Sequence, residues 1–123
     1  MPISDIVTLL MIVKICGRVS VSRLHKIIYI LRHKYGVPLS LRYENPPSIY
    51  SNDLEYDVGV LAGFGLLDVQ ITSRYGYIDR VYRVTGKGER MLEDVLKDKD
   101  TERMFNSLNY IAEHVLGMPK SYR

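Results

Sequence analysis

Between Ser51 and Glu89 the hydrophobic pattern changes period twice, and this constrains the fold more than any other stretch. Leu54, Val58 and Leu61 recur at the spacing of one helix face. Gly63-Phe64-Gly65 breaks the helix. Leu67, Val69 and Ile71 then alternate with Asp68, Gln70 and Thr72, as in a strand with one buried side. Ser73-Arg74-Tyr75-Gly76-Tyr77 reads as a tight turn whose glycine takes positive φ, and Ile78 to Thr85 as the returning strand, with Tyr82 and Val84 on one face. Thr85 is placed to cap a new helix with Met91, Leu92, Val95 and Leu96 on its apolar side. Helix, hairpin and helix in that order leave few ways of closing a core.

The rest of the chain supplies helices for that unit to pack against. Ser4 or Asp5 can cap a first helix with Ile6, Val7, Leu10, Met11 and Val13 at helical spacing, ended by Gly17. Arg18-Val19-Ser20 is a short extended link. Ser20 or Ser22 starts a second helix whose inward stripe is Val21, Leu24, Ile28, Leu31 and Tyr35, and whose outward face carries Ser22, Lys26, Tyr29 and His33, flanked by Arg23 and Lys34. Gly36 and Pro38 close it. A long connection follows to Tyr50, holding Pro46, Pro47 and a possible short strand from Leu39 to Tyr43. Asn52 with Glu55 matches a capping box for the third helix, and Asp53 suits the positive end of its dipole.

Lys97-Asp98-Lys99-Asp100 reads as a hinge or solvated turn, after which Thr101 is expected to cap a last helix. Met104, Leu108, Ile111 and Val115 there form a heptad-like seam, open either to the first helix or to the same helix of a second chain. The seam lies beyond the compact unit, which favours a homodimer. The expected organisation is therefore one domain over residues 1–97 and a dimerising helix over 101–117.

Composition bounds the class. A chain of 123 residues with 46% hydrophobic and 25% charged residues can bury a core without staples, and a single cysteine, Cys16, supplies no internal disulfide. One cysteine and no secretory-type leader fit a reducing, cytoplasmic setting. The most apolar run, Ile6 to Cys16, is too short to span a bilayer and contains Lys14, so no membrane partner is expected. Net charge is +3, but unevenly placed. Residues 1–36 carry six Lys/Arg against one acid, and residues 37–72 carry one against five.

No pattern for chemistry survives a check of spacing. Asp53, Glu55 and Asp57 miss the register of a calcium loop, because Val58 stands where its glycine belongs. Gly86-Lys87-Gly88 lacks the first glycine and the trailing Ser/Thr of a phosphate loop. His25, His33 and His114 are isolated, so no zinc pattern exists. No catalytic residue, metal or cofactor is expected.

Leu24-His25-Lys26-Ile27-Ile28-Tyr29-Ile30-Leu31, the proline-bearing connection, and Asp53-Leu54 through Gly65-Leu66-Leu67 resemble a small prokaryotic winged-helix group, the YwgA-like and phage-associated proteins. Thr85-Gly86-Lys87-Gly88 is similar to the strand-to-helix junction of archaeal and bacterial MarR- and PadR-type regulators. The likeness covers roughly residues 20–95. It implies an α+β, mostly helical fold: a winged helix-turn-helix of three helices and a hairpin wing, with additional C-terminal helices.

The resemblance implies a transcription regulator binding double-stranded DNA, with the third helix in the major groove and the hairpin as wing, and the last-helix seam adds the expected homodimer. Arg23, Lys26, Arg74 and Arg80 are then expected on phosphates, Tyr75 and Tyr77 on sugars, and Asn52 and Tyr56 on bases. Two features point elsewhere. The outward face of the third helix, Asn52, Tyr56, Gly59, Val60 and Gly63, holds no Lys or Arg. The preceding connection also far exceeds the about three or four residues of the usual motif. The alternative is a winged-helix adaptor or antitoxin-like module that docks a protein.

Overall fold

The computed structural model describes residues 4–41 and 49–118, with Arg74 described by its backbone alone. The chain is α+β and mostly helical, with one small antiparallel sheet. In order it forms α1 (Asp5–Cys16), β1 (Arg18–Ser20), α2 (Val21–Tyr35), α3 (Asn52–Gly63), β2 (Leu67–Arg74), β3 (Tyr77–Val84), α4 (Gly86–Val95) and α5 (Lys99–His114). The strands lie in the order β1-β3-β2.

Serines and threonines set most helix starts. Ser4 Oγ accepts from the Val7 N–H, Ser20 Oγ from Arg23, and Thr85 Oγ1 from Gly88. Gly17 and Gly36, both at positive φ, end α1 and α2. α1 is apolar all round because it is the central element. Thr8 through Val13 are buried, and the helix meets α3, α4, α5 and β3. Leu24, Ile28 and Leu31 of α2, Leu54, Val58 and Leu61 of α3, and Leu67 and Tyr82 of the sheet join the core, with Leu92 of α4 and Leu108 and Ala112 of α5.

The Thr85-Gly86-Lys87-Gly88 segment has a packing role. Thr85 Oγ1 donates to the Gly65 carbonyl at 2.6 Å and the Thr85 N–H to the Leu66 carbonyl at 3.1 Å. Lys87 Nζ reaches the Phe64 carbonyl at 2.8 Å, a cation on the negative end of α3. A Cβ on Gly88 would stand 2.4 Å from the Leu66 oxygen and 2.6 Å from Val84 Cγ1. Only glycine lets α4 start this close to the α3–β2 corner.

Three expectations change. Asn52 and Glu55 do not form a capping box. Ser51 is the N-cap of α3, accepting from the Leu54 N–H, and Glu55 points instead to His25 and Arg80. The solvated turn read over Lys97–Asp100 is shorter than expected, ending at Asp98, which caps α5, so that Lys99 and Asp100 already belong to the helix. Asp98 is the better cap because its carboxylate accepts from both the N–H and the hydroxyl of Thr101, each at 3.0 Å. α5 also folds back onto α1. Leu108 is 3% exposed in the chain's own core, Met104 and Ile111 pack against it, and Val115 stays exposed.

Beyond Gly36, Val37, Leu39 and Leu41 alternate inward without forming a strand among the described residues. Arg42 and Tyr43 of the expected strand, with Pro46 and Pro47, lie outside the described residues.

Candidate functional site

A polar network closes the space between α2, α3 and the hairpin. The Ser51 N–H donates to His25 Nδ1 at 3.3 Å, which fixes the ring tautomer with its proton on Nε2. His25 Nε2 then donates to Glu55 Oε1 at 3.0 Å. Arg80 Nη2 donates to Glu55 Oε2 at 2.6 Å, and Arg80 Nη1 to the Tyr82 hydroxyl at 3.1 Å. Tyr50 stacks on the buried imidazole with ring centroids 4.7 Å apart. Burial raises the Glu55 carboxyl, but hydrogen bonds from His25 and Arg80 outweigh it and hold the group below the usual carboxylate range. The network positions α3 relative to the hairpin.

Around it lies an exposed apolar surface. Ile71 pairs across the ladder with Arg80, and Ile78 with Ser73, so both isoleucines share the sheet side that buries Tyr82. Yet Ile71 is 69% and Ile78 is 78% exposed, because the hairpin projects past the core. Tyr56, next to Glu55, is 73% exposed, and Phe64 at the end of α3 is also exposed. Between them Gly59 and Gly63 are open, and a Cβ on either would meet nothing within 4 Å. No packing within the chain calls for glycine there, although each weakens a helix by roughly 1 kcal/mol relative to alanine.

The hairpin tip holds a strained residue. Tyr75 has φ 53° and Gly76 φ 80°, as the two-residue turn between Arg74 and Tyr77 requires. A tyrosine at positive φ, 92% exposed, sits where Asn or Gly is the unstrained choice.

The residues expected on DNA divide into three groups. Arg23 and Lys26 are exposed on α2, with Lys34 further along and no acid anywhere on that helix. Asn52, Tyr56, Tyr75 and Tyr77 are exposed on α3 and the hairpin. Arg80 is engaged by Glu55 and Tyr82, and the Arg74 side chain lies outside the described residues. The other two sheet arginines are also engaged, Arg18 by Gln70 at 2.6 Å and Arg83 by Asp68 at 3.2 Å. The flank of α3 is acidic. Burial raises the Asp57 carboxyl, and the charges of Asp5 and Asp53 raise it further.

Sequence reasoning missed His25 as a network member, treating it as an isolated histidine. The available signal was its place beside Leu24 on the Val21–Ile28 stripe. It also missed Ile78 and Phe64 as surface residues. Cys16 is buried, and burial pushes its thiol up to about 11 despite the Arg23 charge, so the neutral thiol is favoured. Among the described residues no group of three or more His, Cys, Asp or Glu is placed to hold a metal. Among them, too, no helix is long and apolar enough to cross a membrane.

Comparison with protein-family models, curated proteins and solved structures finds no match in any of the three.

Proposed function

We propose that this chain is a winged-helix protein-interaction module whose partner docks on the outward face of α3 and the adjoining side of the β2–β3 hairpin. The element order helix–strand–helix–helix–hairpin and the sheet order β1-β3-β2 support the winged-helix reading. The observation that carries the partner class is the surface of α3. Tyr56, Gly59, Val60, Gly63 and Phe64 offer apolar atoms and open backbone, with Asp53 and Asp57 at the flank and no Lys or Arg on the helix. A phosphate backbone is repelled there, whereas a protein surface gains from aromatic and backbone contact.

The test is retrieval of the partner from source cells with wild-type and Gly59→Leu protein. Gly59 is exposed and a Cβ there meets nothing within 4 Å, so Gly59→Leu is expected to keep its circular dichroism and lose the partner. A folded Gly59→Leu protein that keeps the partner overturns the reading.

One observation favours the DNA-binding regulator as a second reading. Arg23, Lys26 and Lys34 stand exposed on a helix without acids, which suits phosphate contacts from α2. Anisotropy with a duplex from the chain's own promoter separates the two. Binding that falls steeply with salt and is lost in Arg23→Ala with Lys26→Ala supports DNA, and salt-insensitive or absent binding removes it.

A further inference from the structure

We propose that two copies of this chain join edge to edge through β2, antiparallel about a two-fold axis, so that their sheets become one.

The backbone sets up the edge. β2 is one of the two edge strands of the sheet and the longer of them, and among the described residues no strand lies beyond it. The two-residue turn makes Arg74 and Tyr77 the closing pair of the ladder, and at the other end the Thr85 N–H donates to the Leu66 carbonyl. Both fix the same parity. Even-numbered residues of β2 turn their N–H and C=O groups to β3, and Leu67, Val69, Ile71 and Ser73 turn theirs outward. Eight residues run in unbroken register from Leu67 to Arg74, with no proline, lysine or bulge to guard the edge.

The side chains choose the occupant. An antiparallel two-fold centred on Gln70 sets Val69 of each copy opposite Ile71 of the other, Asp68 opposite Thr72, and Gln70 opposite itself. Val69 and Ile71 are among the exposed large apolar residues of the chain, and this register covers both on both copies. It opposes no like charges, since Asp68 faces Thr72, and each Asp68 already holds Arg83 of its own chain. The arrangement is independent of the α5 seam, whose Leu108 is already buried, and it shares only Ile71 with the surface proposed for the partner of α3.

The register gives a direct test. Gln70 and its symmetry mate form a non-hydrogen-bonded pair, where Cα atoms stand about 4.5 Å apart, within the roughly 4.4–6.8 Å span of a disulfide. Gln70→Cys in the full chain is therefore expected to form a disulfide-linked dimer under mild oxidation. Thr72→Cys, two residues off the axis, is expected to stay monomeric on the same gel, and the buried native Cys16 stays silent in both. Ile71→Lys, at a solvent-exposed position that the fold tolerates, is expected to lose the dimer in sedimentation while keeping its circular dichroism. A wild-type chain that sediments as a monomer overturns the proposal. So does a folded Ile71→Lys chain that remains dimeric, or Gln70→Cys crosslinking no faster than Thr72→Cys.

Discussion

Arg80 Nη2 and Glu55 Oε2 stand 2.6 Å apart, joining the middle of β3 to the first turn of α3, and Glu55 passes the connection on to His25 of α2. Three elements are thereby set by one carboxylate. Glu55 is mostly buried, so its hydrogen bonds stand in a region where an unpaired partner is poorly hydrated. The pair engages Arg80 and fixes where Tyr56 and Ile71 sit relative to each other.

Glu55→Gln is expected to destabilise the chain by about 2 kcal/mol at neutral pH, since it removes the charge from hydrogen bonds with two donors. The Glu55 carboxyl is held low in the folded chain, so its contribution is complete above the usual carboxylate range. It fades as pH falls through the depressed folded value. Urea unfolding of both proteins from neutral to acidic pH checks this. The wild type should lose its advantage over Glu55→Gln on acidification.

Asp57, two residues along the same helix, has the opposite sign. Its carboxyl is raised in the folded chain by burial and by Asp5 and Asp53, so it favours folding while protonated and opposes it once pH rises past the usual carboxylate range. Asp57→Asn is expected to raise the urea midpoint at neutral pH and to leave it nearly unchanged in acid. A lower midpoint at neutral pH would contradict the repulsion assigned to this flank.

Gly88→Ala tests the junction of β3 and α4. The new Cβ would press on a backbone oxygen, which cannot swing aside as a side chain does. The expected loss is about 2–4 kcal/mol, read as a lowered thermal midpoint. Gly59→Ala, with nothing near the new carbon, is expected to raise stability by roughly 0.5–1 kcal/mol through helix propensity.

These effects also mark what was legible in the chain. Local rules sufficed wherever neighbours in sequence decide the outcome. Ser4, Ser20, Gly17, Gly36 and Thr85 mark ends that capping chemistry alone predicts, and the alternation from Leu67 to Thr72 sets the strand faces. Glu55 failed the same kind of rule, because a capping box competes with partners on α2 and β3 that no local window contains. Asp98 took the start of α5 from Thr101 for a reason visible only once the acid and threonine are seen bonded together. The α5 seam was legible as an apolar stripe, but a stripe does not name what covers it. The apolar surface of α1 decided that.

Leu108 carries that last point. It is nearly fully buried with Ala112 against Ile12, Ile15, Cys16, Ile27 and Leu31. Leu108→Ala is expected to cost about 2–4 kcal/mol, measured by thermal unfolding at several protein concentrations. The loss should not vary with concentration if the contact is internal. A midpoint difference that shrinks on dilution, as the wild type loses its partner copy, would instead place Leu108 between chains.

Among the described residues Tyr75 is the one non-glycine residue at positive φ, and packing does not compensate for it. Its φ of 53° is a conformation that asparagine adopts with less strain, and its side chain is almost wholly in solvent, so the ring returns little to the fold. Tyr75→Asn would complete an Asn-Gly turn and is expected to stabilise the chain by roughly 0.5–1 kcal/mol in urea unfolding. A tyrosine kept at that expense suits a binding role for the tip, so the stabilised variant is also expected to bind the partner more weakly. A variant less stable than wild type would mean the ring supports the hairpin after all, and the strain would no longer argue for a contact at the tip.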